Sequence, residues 1–287
     1  MADLTARWAR EFEANRKVWD DLARQHARGY SPLYDVPAFK AGGLTLDLLV
    51  RAAVGPVEGR SLLHLHCHFG LDTLSWVRLG AVVTGVDFAP TAIALARDLA
   101  HATGLAATFV CANVYELPGR LTGPFDVVFA SYGVLAWIPD VGRWAEIAAH
   151  FTRPGGRLAL VDYHPLVGTF DVQAAEPRLR HPYFAQSTAL RFEPGPSYGG
   201  PAVRTTSAGY EWTHSLGDVV TAVAAAGFRI DALQERPVCN YQAMPWFAPA
   251  AEGGWRAPTG LPDLPPVFAL RATREPGTGP SEPRPEP

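Results

Sequence analysis

The chain has 287 residues, of which 48% are apolar, and a net charge of −3 from 25 basic and 28 acidic side chains. This is enough apolar material for one large α/β domain with additions or for two small domains, and no basic block is present that would hold nucleic acid mainly through its phosphates. The three cysteines, Cys67, Cys111 and Cys239, form neither a disulfide framework nor a CxxC zinc pair; with no long apolar span and no apolar signal core in the charged N-terminal segment, a cytoplasmic setting is expected.

Residues 4–28 are predicted as a helix with Trp8, Phe12, Trp19 and Leu22 toward one side. A turn-rich stretch, 29–43, carries Tyr30, Tyr34 and Phe39. A second helix over 44–54 stops at Gly55-Pro56. From there strands and helices alternate: strand 61–66, helix 71–79 closed by Gly80, strand 81–86, helix 90–103 opened by Pro90, and strands 107–111 and 125–130. Helix 141–151 and strand 157–162 follow, the latter after an Arg153-Pro-Gly-Gly156 turn. Such alternation over short loops implies a mostly parallel sheet with helices on both faces. Residues 163–214 break the rhythm with proline, glycine and many aromatics, and are predicted as a lid or substrate-binding insertion. Helix 215–226 and strands 228–235 and 266–273 then resume the pattern. The expected organisation is an N-terminal helical segment (1–57), an α/β domain (58–274) carrying the insertion, and a disordered tail (275–287).

A doubly wound sheet binds its ligand at the carboxyl ends of the strands, where the strand order reverses. The residues just past each strand are therefore the candidates. Past the first lies HLHCHFG (64–70), in which Gly70 lets the loop approach a ligand and open the next helix. Past the second lies Asp87, 17 residues after Gly70, near the spacing of an acid that accepts from a ribose diol. Past the third, Asn113-Val114 offers an amide to an adenine edge. Past the fourth, Ser131-Tyr132-Gly133 lies beneath the expected reacting centre.

Taken in order, LLHLHCHFG, VTGVDF, CANVYELP, FDVVFASYGVLAWIPD and PGGRLALVDYHP resemble the five motifs of class I S-adenosylmethionine-dependent methyltransferases. The first loop is similar to that of a subgroup with CHFGLDTL at this point. His64 stands where that family usually has an acid, and His66 and His68 replace two glycines. The resemblance implies a Rossmann-like, seven-stranded, mostly parallel sheet whose last strand is antiparallel, with S-adenosylmethionine as cofactor. It implies a cofactor set of His64, His66, Cys67, Gly70, Asp87, Phe88, Asn113, Val114, Ser131 and Tyr34. Aromatic faces steady a sulfonium, and Tyr34, Tyr132 and Trp137 are the candidates. A protonated acceptor calls for a base. His164, just past the fifth strand, is the first candidate, with Tyr132 beside the reacting centre, Asp162 as an orienting acid and His214 as an alternative.

The expected activity is methyl transfer to a small organic acceptor, such as a natural-product intermediate, at oxygen, nitrogen or carbon. No nucleic-acid or membrane partner is expected, and the oligomeric state is open. Three readings compete. One is use of the same cofactor without methyl transfer, by aminocarboxypropyl transfer or cyclisation. A second is a zinc hydrolase built on His64, His66 and His68, which would share one face of a strand. The third, a nicotinamide dehydrogenase, lacks its GxGxxG loop.

Overall fold

Seven apolar, β-branched runs pair into one sheet in a computed structural model that describes residues 4–198 and 200–277. The strands are β1 (Ser61–Leu65), β2 (Val82–Asp87), β3 (Thr108–Cys111), β4 (Phe125–Ser131), β5 (Thr152–Tyr163), β6 (Phe228–Arg236) and β7 (Val267–Arg274). Their spatial order is β6-β7-β5-β4-β1-β2-β3. β1 to β5 pair in parallel, while β7 runs antiparallel to both of its neighbours. The order reverses between β1 and β4, which opens the ligand crevice there.

Six helices matter for the site: α1 (Ala9–Ala27), α2 (Leu48–Val54), α3 (Leu71–Arg78), α4 (Pro90–Thr103), α5 (Val141–Phe151) and α6 (Leu216–Ala225). Because strand side chains alternate, Leu63, Val128 and Leu158 pack under α5 and α6, with Trp144 of α5 fully buried among them. Leu62, Val127 and Phe129 face the other way, toward Val50 and Val54 of α2 and Trp76 of α3. No helix among the described residues is long and apolar enough to cross a membrane.

The element boundaries differ most from the sequence expectation in three places. The first helix breaks at Trp8 into Leu4–Arg7 and α1. The second starts at Leu48 rather than Leu44, because the Asp47 side chain accepts from Val50 N and caps it. The Arg153–Gly156 turn is absorbed into a longer β5, with a register shift against β4. The predicted tail lies outside the described residues beyond Gly277.

The aromatic insertion folds as two small hairpins. Leu190–Phe192 pairs with Gly209–Glu211, and Gly195–Ser197 pairs with Gly200–Thr205. α1 holds both. The Asn15 carboxamide donates to Tyr210 O and accepts from Tyr210 N, each at 2.8 Å. Gln25 does the same with Arg204, donating to its O at 2.8 Å and accepting from its N at 3.0 Å. Asp20, between them, accepts from Thr91 N at the start of α4. One helix thus ties the insertion to the sheet. Asn15→Ala leaves the main chain of Tyr210 without these two bonds at a half-buried position. It should cost about 2 kcal/mol or more in urea unfolding, and hydrogen exchange at Tyr210 should speed up.

Candidate functional site

β1 stops at Leu65, and the chain then turns through left-handed backbone at His66 (φ 59°), His68 (φ 51°) and Gly70 (φ 84°). Non-glycine residues pay about 1–2 kcal/mol for such conformations, so hydrogen bonds must hold them. Trp144 Nε1 donates to His66 Nε2 at 3.3 Å, and His68 N donates to Asp87 Oδ2 at 2.9 Å. Gly70 is required by packing: a Cβ there would lie 3.0 Å from both Ala96 and Phe109.

The three histidines do not share a face. His64 is fully buried, its Nδ1 2.8 Å from Thr73 Oγ1 and its ring against Phe129. His68 Nε2 lies 2.9 Å from His26 Nδ1. Because the strand ends at Leu65, the alternation needed for a zinc site is lost and each ring turns to a different partner. Burial pushes the His64 ring down to about 3 and that of His66 to about 4. Cys67 is also buried beneath the loop, where a Cβ on Gly85 would meet its sulfur at 3.0 Å. His64 and Cys67 are therefore packing residues, contrary to the sequence expectation.

Above the loop a narrow cleft is lined by His66, Asp87, Phe88, Asn113, Val114 and Trp137, with Phe12 and Asn15 arriving from α1. Asp87, at the end of β2, accepts from His68 N and Ala89 N at 2.9 Å each. Burial outweighs these bonds and pushes its carboxyl up to about 6. Asn113 Oδ1 accepts from Tyr115 N and caps the turn Val114–Gly119. One end of the amide expected at an adenine edge is thus already engaged.

At the other end of the loop, Asp72 on α3 accepts from Thr45 Oγ1 and lies 3.4 Å from Ser131 Oγ. Burial raises its carboxyl above the ordinary range. The Tyr132 hydroxyl donates to Asp47. Tyr34 stacks on His26 at 4.3 Å, and its hydroxyl meets that of Tyr198 at 2.7 Å. Tyr163 and Tyr198 both pack against Tyr241, at 5.0 and 6.1 Å. Tyr34, Tyr163, Tyr198 and Tyr241 are each half-buried and form one aromatic cluster.

The expected bases are engaged elsewhere. His164 Nδ1 accepts from Leu166 N at 3.0 Å, and its Nε2 lies 2.9 Å from Glu235 on β6, out of line for a hydrogen bond. His164 therefore secures a turn on the β6–β7 side of the sheet. Asp162 accepts from the main-chain N–H groups of Gly133, Val134, Leu135 and Tyr163 and has no capacity left for a substrate. His214 Nε2 is bound to Ile138 O at 2.6 Å. Sequence reasoning missed Asn15, Asp72 and Glu211. Asp72, two residues past Gly70, was the one that motif position could have revealed.

Residues 62–156 match the sequence family described as a methyltransferase domain. The chain is 36% identical over 118 residues to a ubiquinone biosynthesis O-methyltransferase of Methylocella silvestris, covering 41% of this chain and 44% of that one. It is 30% identical over 148 residues to one of Erwinia tasmaniensis, covering 52% and 56%. The chain thus spans about half the length of the curated relatives it matches. A putative S-adenosylmethionine-dependent methyltransferase from Listeria monocytogenes superposes with a TM-score of 0.55 at 13% identity, over 79% of this chain and 95% of that one. The fold is the Rossmann-like α/β fold of those enzymes.

With its folded-state carboxyl near 6, Asp87 stays protonated where the unfolded chain has already ionised. Stability from this group is full below about pH 4 and is lost as pH rises through about 6, a span of about 2–3 kcal/mol. Asp87→Asn should flatten that part of the urea-stability profile of the cofactor-free protein. An undiminished slope would assign the titration to other carboxyls.

Proposed function

We propose that the chain transfers a methyl group from S-adenosylmethionine to a hydroxyl oxygen of a small, largely apolar acceptor. One observation carries the reading: a buried carboxylate, Asp87, stands at the end of β2 beside the turn after β1, has only main-chain donors, and faces a cleft at the point of strand reversal. A deep carboxylate without a cation fits two hydroxyl donors from a ribose.

The other residues fit the remainder of that cofactor. Phe88, Val114 and Tyr115 would flank the adenine, with Asn113 at its edge. Asp72, supported by Thr45 and Ser131, would hold the ammonium of the methionine end, the task that His64 cannot perform. The aromatic cluster of Tyr34, Tyr163, Tyr198 and Tyr241 would take the acceptor. When bound, the cofactor supplies a methyl group on a sulfonium, which is a good leaving group. The protein's tasks are then to align the acceptor oxygen, exclude water with the 163–214 insertion, and accept a proton. The choice of oxygen rests on the curated relatives, which are named O-methyltransferases. A small-molecule acceptor agrees with walls that are aromatic and carry few charges.

Isothermal titration tests this. S-adenosylmethionine and S-adenosylhomocysteine should both bind one-to-one, and Asp87→Ala should weaken both by about 1.5–3 kcal/mol. Asp72→Asn should weaken them while leaving methylthioadenosine, which lacks the ammonium, unaffected. The by-product released in turnover should be S-adenosylhomocysteine; methylthioadenosine would instead mean transfer of the aminocarboxypropyl group. Absence of binding by the folded wild-type protein would end the proposal.

A further inference from the structure

The strand pairing of the inner hairpin sets Leu190 opposite Glu211 and Phe192 opposite Gly209, so these four residues share one face. Arg191 and Tyr210 take the other face, where Arg191 pairs with Glu193. The first face looks inward. The Phe192 ring lies 6.0 Å from the ring of Trp137, which lines the cofactor cleft. Gly209 permits this, because a Cβ there would collide with the Phe192 ring. The main chain is pinned on both sides of Glu211: Tyr210 to Asn15, and Trp212 N to Ala136 O at 2.8 Å, next to Trp137.

Glu211 is thus held rigidly at the inner wall, and its carboxylate makes no hydrogen bond or ion pair with any described residue. It lies deep in the protein yet keeps accessible surface. Tyr241, in the aromatic cluster, feels its charge. Leu190 across the hairpin carries none, and Arg191 is turned away. A buried carboxylate without a cation or donor is costly. This one shares a hairpin face with Phe192, whose ring meets Trp137 of the cleft.

We propose that Glu211 recognises the acceptor by taking a hydrogen bond from its hydroxyl and then accepts that hydroxyl's proton. This rests on the methyl-transfer reading and adds to it the class of acceptor: a neutral aromatic hydroxyl, whose ring stacks on the tyrosine walls while its O–H points at the carboxylate. In the proton step the O–H bond breaks toward a Glu211 oxygen, the electron pair stays on the acceptor oxygen, and the carboxylate becomes a carboxylic acid. The proton later passes to solvent. With no ion pair to offset burial, the carboxyl is pushed up to about 7, a suitable value for a base near neutral pH.

The test uses catechol, which stays neutral across the range, and its dimethyl ether, which has no O–H to donate. Both are titrated into the full-length protein without cofactor. Binding of a donor favours the ionised carboxylate, so catechol affinity should rise about tenfold from one pH unit below the Glu211 ionisation to one above it. The ether should show no such rise, and Glu211→Gln should bind catechol with a flat profile. A flat wild-type profile, a slope that survives in Glu211→Gln, an equal slope for the ether, or no catechol binding at all would each overturn the assignment. Should Glu211→Gln fail to fold, the catechol and ether comparison on the wild type decides. Titration with S-adenosylmethionine runs in parallel. If the cofactor does not bind but the catechol slope is present, the methyl-transfer reading fails while the hydroxyl site stands.

Discussion

Asn15 gives both ends of its carboxamide to the main chain of one residue, Tyr210, and most of the site's geometry depends on that exchange. About three turns along the same face of α1, Gln25 repeats it with Arg204. An isolated two-stranded hairpin is marginal in water. Here each hairpin of the insertion borrows a side-chain amide as a further hydrogen-bonding edge. Asp20 ties the same helix to the start of α4, so the insertion, α1 and the sheet are held in one frame. Glu211 and Phe192 gain fixed positions over the cleft only through this frame.

The second constraint is burial of carboxylates without cations. Asp72, Asp87 and Glu211 are all deep, and burial raises all three. Arginine–carboxylate pairs lie nearer the surface instead, as Arg153 with Asp126. Deep acids without a cation lower stability near neutral pH, but they keep lone pairs available to a ligand. Asp162 is the contrast: four main-chain N–H groups occupy it, and it serves the turn after β4. An acid's place near a strand end does not reveal which fate it meets; its donor count does.

The histidines illustrate the same limit. The three histidines of the HLHCHFG segment suggested a shared face, but a strand that stops one residue earlier sends each ring a different way. His164 looked well placed past β5, yet β7 inserts antiparallel beside that strand and brings β6 and Glu235 up to it. Long-range pairing of this kind leaves no local trace.

The sequence by itself determined the alternation of strands and helices, the order of the site-bearing turns, Asp87 at the end of β2, and the insertion after β5. These follow from local apolar periodicity and from glycines such as Gly70, where a left-handed turn meets close packing. Only the tertiary structure decided which polar groups remain free. His64, Cys67, Asp162 and His164 were taken up by neighbours distant in the chain or by main-chain donors. Asp72 kept only the hydroxyls of Thr45 and Ser131, and Glu211 was left without a partner among the described residues. The physical reason is that a side chain's availability is what remains after its contacts are counted, and most of those contacts come from residues that the chain order does not place beside it.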